Sequence, residues 1–451
     1  MRHHDLLVIG AGSGNAVVDD SFADLDVAIV EQDRFGGTCL NVGCIPTKML
    51  VRAADLADDV ADSARLDVDA ELRGIRWRDL RDRVFGRLDP LARDGKTGRE
   101  DTPWITVYDT HARFTAPRTL DIGGTAVSAD RIVVAAGSRP MVPPPVTDSG
   151  LPYETSDTVM RVDDPPRRLA VLGGGYIAAE LAHVFSSAGS AITVIDMADT
   201  LLAGQDVLVA REFTELASKA WDVRLDREVT AVSGAPGALV LTLDDESTVE
   251  ADMLLVAVGR VPNGDGLDLD TAGIDVHDDG RIVVDEYQRT TADGVWALGD
   301  VSTKVPLKHV ANREADVVRH NLRHPDDLHT TGDAPVPSAI FTSPQIAAVG
   351  ATEQELTDSG TPFRVGLARV CDVAYGWAME DTTGFAKVLA DPGTGTLLGA
   401  HILGPQASTL IQPLVLAMTL ELDALTLVEQ PYWIHPALSE VVKQALKSAL
   451  S

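Results

Sequence analysis

The chain has 451 residues, of which 45% are hydrophobic, so it is long enough for two or more domains with large buried cores. Its net charge of −30 argues against nucleic-acid and anionic-membrane partners, because both bind basic surfaces. No apolar run approaches the roughly 18 residues of a spanning helix, and we expect a cytoplasmic protein without a signal peptide. Both a halophilic source and a high-GC coding bias would account for the acidic composition.

The first predicted element is an apolar strand at residues 6–9, followed by the turn Gly10-Ala11-Gly12-Ser13-Gly14 and a helix-forming run. A second apolar run ends at Glu31, about twenty residues after the glycines. Dinucleotide-binding folds have this order, because the glycines let backbone N–H groups approach a pyrophosphate and the acid binds ribose hydroxyls. The segment therefore predicts a first Rossmann-like α/β unit.

Two of the three cysteines, Cys39 and Cys44, lie close together in a glycine-rich segment. Four residues separate them, which permits a disulfide if the turn is wide, and a helix that begins near Cys44 would favour its thiolate. A metal site needs three or four ligands and no others are near, so no metal is predicted. Two reduced structural cysteines are the other interpretation of the pair. Cys371 has no partner and is expected to be a small buried residue.

A second segment repeats the pattern of strand, glycine turn and helix. A strand at residues 169–172 precedes the turn Gly173-Gly174-Gly175-Tyr176-Ile177, and a later apolar run leads to Asp196. One such motif is weak evidence, but two in one chain strongly indicate two dinucleotide-binding units. From about Ala334, alternating strands and a long apolar helix near 410–422 predict a third, α+β domain.

The segment GGTCLNVGCIPTK at residues 36–48 resembles the glutathione reductase and dihydrolipoamide dehydrogenase family, the class I pyridine nucleotide–disulfide oxidoreductases. The resemblance covers the whole chain and implies an α/β protein with two Rossmann-like dinucleotide-binding domains plus a C-terminal α+β dimerisation domain. The blocks that carry it are AAGSRP at 135–140, GGGYIAAE at 173–180, AVGRVPN at 257–263, ALGDV at 297–301 and YWIHPALSE at 432–440. The implied domains are 1–150 for FAD, 151–265 for NAD(P)H, 266–333 returning to the FAD domain, and 334–451 for dimerisation.

The resemblance also implies how the site residues divide the chemistry. Cys44 is the charge-transfer thiol beside the flavin and Cys39 the interchange thiol, with the proton supplied by a His435–Glu440 dyad that reaches the other subunit of a homodimer. Lys48 pairs with Glu180 near the flavin. Electrons pass from NADPH or NADH through FAD to the disulfide. The implied cofactor-binding residues are Gly10, Gly12, Ser13, Gly14, Glu31, Gly37, Thr38, Lys48, Gly137, Gly173, Gly175, Tyr176, Ile177, Asp196, Gly259, Arg260, Asp300, His309 and Ala311.

Longer blocks resemble the mycothione reductase branch of the family, which implies a low-molecular-weight disulfide as substrate. These blocks are GSGN at 12–15, TSDTVM at 155–160, LKHVANREA at 307–315, DVAYGWAMEDT at 372–382 and YWIHPAL at 432–438. That branch is expected to use NADPH, whereas Asp196 favours NADH, because an acid at this strand end binds the 2′-hydroxyl and repels a 2′-phosphate. We therefore expect weak discrimination or a preference for NADH.

Three alternatives stay open. A dihydrolipoamide dehydrogenase fits Asp196 and the cysteine segment but fits the longer blocks poorly. A reductase of glutathione disulfide or bis-γ-glutamylcystine is the second alternative. A flavoprotein that kept the fold and lost the chemistry is the third, and the intact Cys39, Cys44, His435 and Glu440 count against it.

Overall fold

The computed structural model describes residues 1–451 and contains 22 strands in five sheets. The strands are β1 (Arg2–Ile9), β2 (Val27–Glu31), β3 (Ile105–Asp109), β4 (Ala112–Ala116), β5 (Thr119–Ile122), β6 (Thr125–Val134), β7 (Ser138–Pro140), β8 (Glu154–Thr155), β9 (Arg168–Leu172), β10 (Ala191–Ile195), β11 (Asp222–Arg224), β12 (Val229–Ala235), β13 (Ala238–Leu243), β14 (Thr248–Ala251), β15 (Met253–Val256), β16 (Arg260–Pro262), β17 (Val295–Ala297), β18 (Ser338–Ile340), β19 (Ile346–Gly350), β20 (Arg364–Arg369), β21 (Phe385–Ala390) and β22 (Leu397–Leu403).

Thirteen α-helices accompany these strands. They are α1 (Gly37–Asn41), α2 (Cys44–Ala61), α3 (Trp77–Glu100), α4 (Pro144–Thr147), α5 (Tyr176–Ser187), α6 (Val207–Ala220), α7 (Lys308–Arg323), α8 (Glu353–Asp358), α9 (Ala374–Ala378), α10 (Ala407–Leu410), α11 (Gln412–Thr419), α12 (Ala424–Glu429) and α13 (Glu440–Ala449). No helix combines the length and the apolar character that crossing a bilayer requires.

The first sheet is built around β1, whose residues 6–9 are almost fully buried, as expected for a parallel strand covered on both faces. β1 pairs in parallel with β2 and with β6. β17, which follows the second unit in sequence, also pairs with β6 in parallel. The order is β3-β2-β1-β6-β5-β4, with β17 beside β6. The chain after the second unit therefore returns to the first sheet.

The expected helix after the first glycine turn does not form. Gly14–Val17 and Asp20–Phe22 are two short 3₁₀ turns instead. The Asp19 side chain accepts the Ser21 N–H, which is the local bonding by which Asp competes with a continuing helix. Arg99 of α3 then donates to the carbonyl oxygens of Asn15 and Val18, at 2.9 and 2.8 Å. A side chain from another helix thus satisfies carbonyls that a longer helix would have bonded itself.

The second sheet, β11-β10-β9-β15-β8, is entirely parallel, and here the predicted helix is present as α5. An antiparallel sheet, β12-β13-β14, packs against it. A two-stranded antiparallel pairing of β7 with β16 joins the first and second units.

The C-terminal unit is an antiparallel sheet, β18-β19-β22-β21-β20, packed against α13. All six residues of β21 are buried. The long helix expected near 410–422 is instead broken into α10 and α11, where Pro413 in the first turn of α11 has no N–H to continue an earlier helix. Cys371 is partly exposed rather than buried. The predicted fold class, two Rossmann-like units plus a C-terminal α+β unit, is confirmed, while the exact domain limits stay predictions.

Candidate active site

One cavity of about 1280 Å³ runs between the three units. Both glycine turns, both cysteines, Lys48, Glu180 and residues 337–341 of the C-terminal unit line it. Nineteen of the predicted site residues lie on its wall, and the exceptions are Gly14, Gly173, Gly259, His435 and Glu440. A single site can therefore hold two nucleotides with the cysteine pair between their turns.

Two of the exceptions, Gly14 and Gly173, lie behind the turns and act through packing. A Cβ on Gly14 would come within 2.7 Å of the Ala135 Cβ. Gly173 has φ of +110°, and a Cβ there would lie 2.4 Å from the Ala257 carbonyl oxygen. These glycines allow each turn to lie close to the neighbouring strand, which is one of the roles that the motif assigns to them.

Cys39 and Cys44 form a disulfide, with 4.7 Å between their Cα atoms. Cys39 lies in the short helix α1, and α2 begins at Cys44, as the sequence predicts. A Cβ on Gly37 would come within 2.7 Å of the Gly12 Cα, so the cysteine segment lies directly against the first glycine turn. This contact orders the pair beside the first nucleotide site.

Lys48 and Glu180 are 132 residues apart in sequence and form a close ion pair in the cavity. The Lys48 Nζ lies 2.8 and 2.6 Å from the two carboxylate oxygens of Glu180, whose side chain is only 4% exposed. Glu180 also accepts the N–H of Phe341, at 2.9 Å. A charged pair thus joins α2, α5 and the C-terminal unit, one turn along α2 from Cys44.

The two strand-end acids, Glu31 and Asp196, have matching positions. Glu31 accepts the N–H of Ala11 at 2.7 Å, and Asp196 accepts the N–H of Gly174 and that of Ala198. Each carboxylate is held against its own glycine turn and lines the cavity. This is the placement needed for hydrogen bonds to ribose hydroxyls.

Further glycines leave room for ligands. Gly137 and Gly175 line the cavity, and a Cβ at either would meet no protein atom within 4 Å. A side chain there would project into the space that a bound nucleotide needs. Together with the two acids and the cavity volume, these glycines fit one dinucleotide at each turn.

A polar network crosses the wall between the units. Ser138 donates to Asp300 at 2.7 Å, while Arg260 donates to the Ser138 hydroxyl at 2.8 Å and to its carbonyl at 2.7 Å. His309 is held by the carbonyl of Pro337, at 2.9 Å. Asp300 and Arg260 are therefore fixed in orientation before any ligand binds.

Lys308 is a cavity residue that the sequence did not single out. It is the first residue of α7, and its Nζ donates to the Ser13 hydroxyl in the first glycine turn, at 2.8 Å. Burial lowers the pKa of Lys308, and the charge of Asp300 opposes that shift. The only cue in the sequence is the position of Lys308 next to His309 in the block LKHVANREA.

His435 and Glu440 lie outside the cavity, on the surface of the C-terminal unit. The His435 Nδ1 is 3.1 Å from both Glu440 carboxylate oxygens, and the hydrogen bond from His435 lowers the pKa of Glu440. The His435 side chain is 71% exposed, and its neighbours Tyr432 and Ile434 are exposed as well. The dyad is therefore formed within one chain but does not contact the cavity of that chain.

Comparison with known proteins gives consistent matches along the chain. Residues 4–315 match the pyridine nucleotide-disulphide oxidoreductase family, and residues 336–446 match its dimerisation domain. A mycothione reductase of Mycobacterium tuberculosis H37Rv is 49% identical, over 99% of both chains. A dihydrolipoyl dehydrogenase of Haloferax volcanii is 33% identical, over 99% of this chain and 96% of its own.

The solved structures agree with the sequence matches. The HOCl-induced flavoprotein disulfide reductase RclA from Escherichia coli, in its Cu(II) complex, superposes with a TM-score of 0.87. It is 28% identical and covers 99% of both chains.

Proposed function

Because this chain belongs to the pyridine nucleotide–disulphide oxidoreductase family, we propose that it is a homodimeric enzyme that reduces mycothione to mycothiol at the Cys39–Cys44 pair. It is an FAD-dependent, NAD(P)H-linked disulfide oxidoreductase with a dimerisation domain. The observation that carries the choice of substrate is the 49% identity to a mycothione reductase over nearly the full length of both chains.

The cysteines carry out thiol–disulfide exchange in this proposal. FAD, when bound, supplies the transfer of electrons between a nicotinamide hydride and a disulfide. The reduced Cys39 thiolate attacks one sulfur of the substrate, which forms a mixed disulfide and releases the first thiolate. The Cys44 thiolate then attacks the Cys39 sulfur, which releases the second thiolate and restores the Cys39–Cys44 disulfide.

Each released thiolate takes a proton, and His435 of the partner subunit is the proposed donor for the first. The carboxylate of Glu440 supports this role, because its hydrogen bond to Nδ1 orients the ring and stabilises the imidazolium. A dyad that is exposed on one chain, within a dimerisation domain, suits a site completed by two chains.

The remaining wall residues hold the cofactors. We assign the first turn, with Glu31 and Asp300, to FAD, and the second turn, with Tyr176 and Asp196, to the nicotinamide nucleotide. The Lys48–Glu180 pair is a positioning pair next to the flavin. Asp196 favours NADH as donor. Residues 195–200 include no basic side chain that could bind the 2′-phosphate of NADPH, so we expect weak discrimination between the two nucleotides or a preference for NADH. A cytoplasmic enzyme without nucleic-acid or membrane partners fits the charge of −30.

The test is nucleotide oxidation by the purified yellow protein, with mycothione, lipoamide and glutathione disulfide offered in parallel and with NADPH and NADH tested separately. We expect turnover with mycothione, and the faster nucleotide shows the effect of Asp196. Turnover chiefly with lipoamide and NADH would replace this proposal with a dihydrolipoamide dehydrogenase, the candidate that the 33% identical relative favours.

A further inference from the structure

A cluster of metal-binding side chains lies outside the cavity, at the C-terminal end of α7. His320, on the last turn of the helix, faces the turn formed by residues 324–329. One possible ligand atom from each of His320, Asp327 and His329 lies within 4.8 Å of the other two. The reaction proposed above uses none of these residues.

We propose that His320, Asp327 and His329 bind one Zn²⁺ per chain. Two imidazole nitrogens and one carboxylate oxygen form a ligand set of the kind that borderline divalent ions prefer, and water can fill the fourth position at this exposed site. Hard ions such as Mg²⁺ prefer all-oxygen ligands and fit it poorly.

The segment that carries two of the ligands is held in place without a metal. The side-chain amide of buried Asn321 donates to the carbonyl of His329 and accepts the N–H of the same residue, at 2.9 and 2.8 Å. The His320 Nε2 lies 2.8 Å from the carbonyl oxygen of Asp327. The same nitrogen is 3.9 Å from an Asp327 carboxylate oxygen, so it has to exchange the carbonyl for the ion when the site is filled. The two ends of the site are therefore already close, which reduces the entropy lost on binding.

The imidazole rings show how the site would change on binding. The rings of His320 and His329 are stacked, with centroids 3.5 Å apart and 7° between their planes. A Zn–N bond of about 2.0–2.1 Å lies in the plane of its ring, so the two rings must turn apart before both can reach one ion. Both His329 and Asp327 are exposed, so this rotation meets little resistance from packing.

The local charges favour a cation. Asp326 adds a second carboxylate beside Asp327, and the chain as a whole carries −30. The two arginines that flank His320 in α7 are both paired, Arg319 with Asp316 at 2.5 Å and Arg323 with Asp24 at 3.0 Å. A bound ion would tie the 324–329 turn to the end of α7, the helix that begins with Lys308 at the cavity.

The experiment measures Zn²⁺ binding to the oxidised, FAD-loaded protein, in which the disulfide leaves no thiolate at the active site to compete. Zinc content after equilibrium dialysis and the change in Tm with added Zn²⁺ are the two readouts. His329→Ala and Asp327→Asn remove one ligand each and leave the backbone hydrogen bonds of residue 329 available. His277→Ala is the matched control, because His277 is also exposed and precedes two aspartates but has no second imidazole beside it.

We expect one Zn²⁺ per chain in the wild type, with a rise in Tm, and at least a tenfold weaker affinity with no such rise in both ligand variants. His277→Ala should behave as the wild type does, and Mg²⁺ should not raise the Tm. The absence of saturable binding in the wild type would overturn the proposal. Unchanged binding in His329→Ala, or an equal loss in His277→Ala, would overturn it as well.

Discussion

The first and second nucleotide units share a sequence pattern but differ after the glycine turn. In the second unit, the turn leads into α5, a 12-residue helix whose N-terminus faces the cavity. In the first, two 3₁₀ turns replace the helix, and Arg99 satisfies their carbonyls from α3. A three-turn helix brings an aligned dipole to a pyrophosphate, whereas two short turns bring very little.

The first unit has a full positive charge at the corresponding place. The Lys308 ammonium group lies at Ser13, in the turn where the helix dipole is weak. We infer that a phosphate-binding turn needs favourable positive potential, and that a helix terminus and a partly buried lysine are two ways to supply it.

The largest expected effect comes from the cysteine segment, which lies against the first nucleotide unit. A change there should abolish disulfide reduction and leave nucleotide binding intact. Cys39→Ser should lower disulfide reduction by about 10³-fold or more, because no thiol remains to attack the substrate. Flavin content, measured from the absorption spectrum, should stay at the wild-type value, since the serine side chain is nearly isosteric. Retained disulfide reduction would show that the pair is not the redox centre.

The next effect tests whether the charge of Lys308 takes the place of the missing helix in the first unit. Lys308→Met should weaken FAD binding by about 10- to 100-fold, the effect of losing one hydrogen bond to a charged group. The measurement is the Kd for FAD on reconstitution of the apoprotein. Lys304→Met, an exposed lysine just before the same helix, is the control and should bind FAD normally. The Kd for the nicotinamide nucleotide should change in neither variant, because the second unit relies on α5.

A smaller effect concerns the acid of the second unit. Asp196→Asn should shift the ratio of kcat/KM for NADPH over NADH by about tenfold towards NADPH, because a negative charge beside the 2′-phosphate is removed. Asp199→Asn, an exposed carboxylate in the same run, should leave the ratio unchanged. A strong NADPH preference in the wild type would contradict our expectation for Asp196 at the outset.

The smallest effect is a pH dependence of FAD affinity. Burial lowers the pKa of Lys308 from its ordinary value, so in the apoprotein this group loses its proton at a lower pH than a free lysine does. A bound diphosphate favours the protonated form, so binding is coupled to proton uptake, and FAD affinity should fall a few-fold as the pH rises through that lowered pKa. Lys308→Met should show a flatter profile over the same alkaline range.

Much of the backbone structure could be predicted from the sequence. The glycine turns and strand-end acids are local patterns, and the sequence placed β1, β2, β9, β10 and the start of α2 well. The missing first helix depends on Asp19 bonding locally and on Arg99 arriving from a distant helix, and no local pattern contains the second fact. The break between α10 and α11 could have been predicted from Pro413, but the apolar pattern around this residue favoured one continuous helix.

Side chains that meet across the fold were harder to predict than backbone elements. Lys48 and Glu180 were identified from family motifs, whereas spacing alone does not relate residues 132 apart. Lys308 belongs to a matched block but has no motif of its own, and its role emerges only where α7 meets the first turn. The same holds for His320 and His329, because the loop between them must fold back before the rings can stack.

The pairing of β7 with β16 has a topological consequence. The chain leaves the first unit through β7 and returns through β16, and the Met141 N–H lies 2.9 Å from the carbonyl oxygen of Gly259. The second unit is thus an insert whose two ends are neighbours. An exchange of residues 141–259 for the corresponding segment of a relative would need only two adjacent junctions, so donor specificity can be exchanged as a module while the first sheet keeps its connectivity.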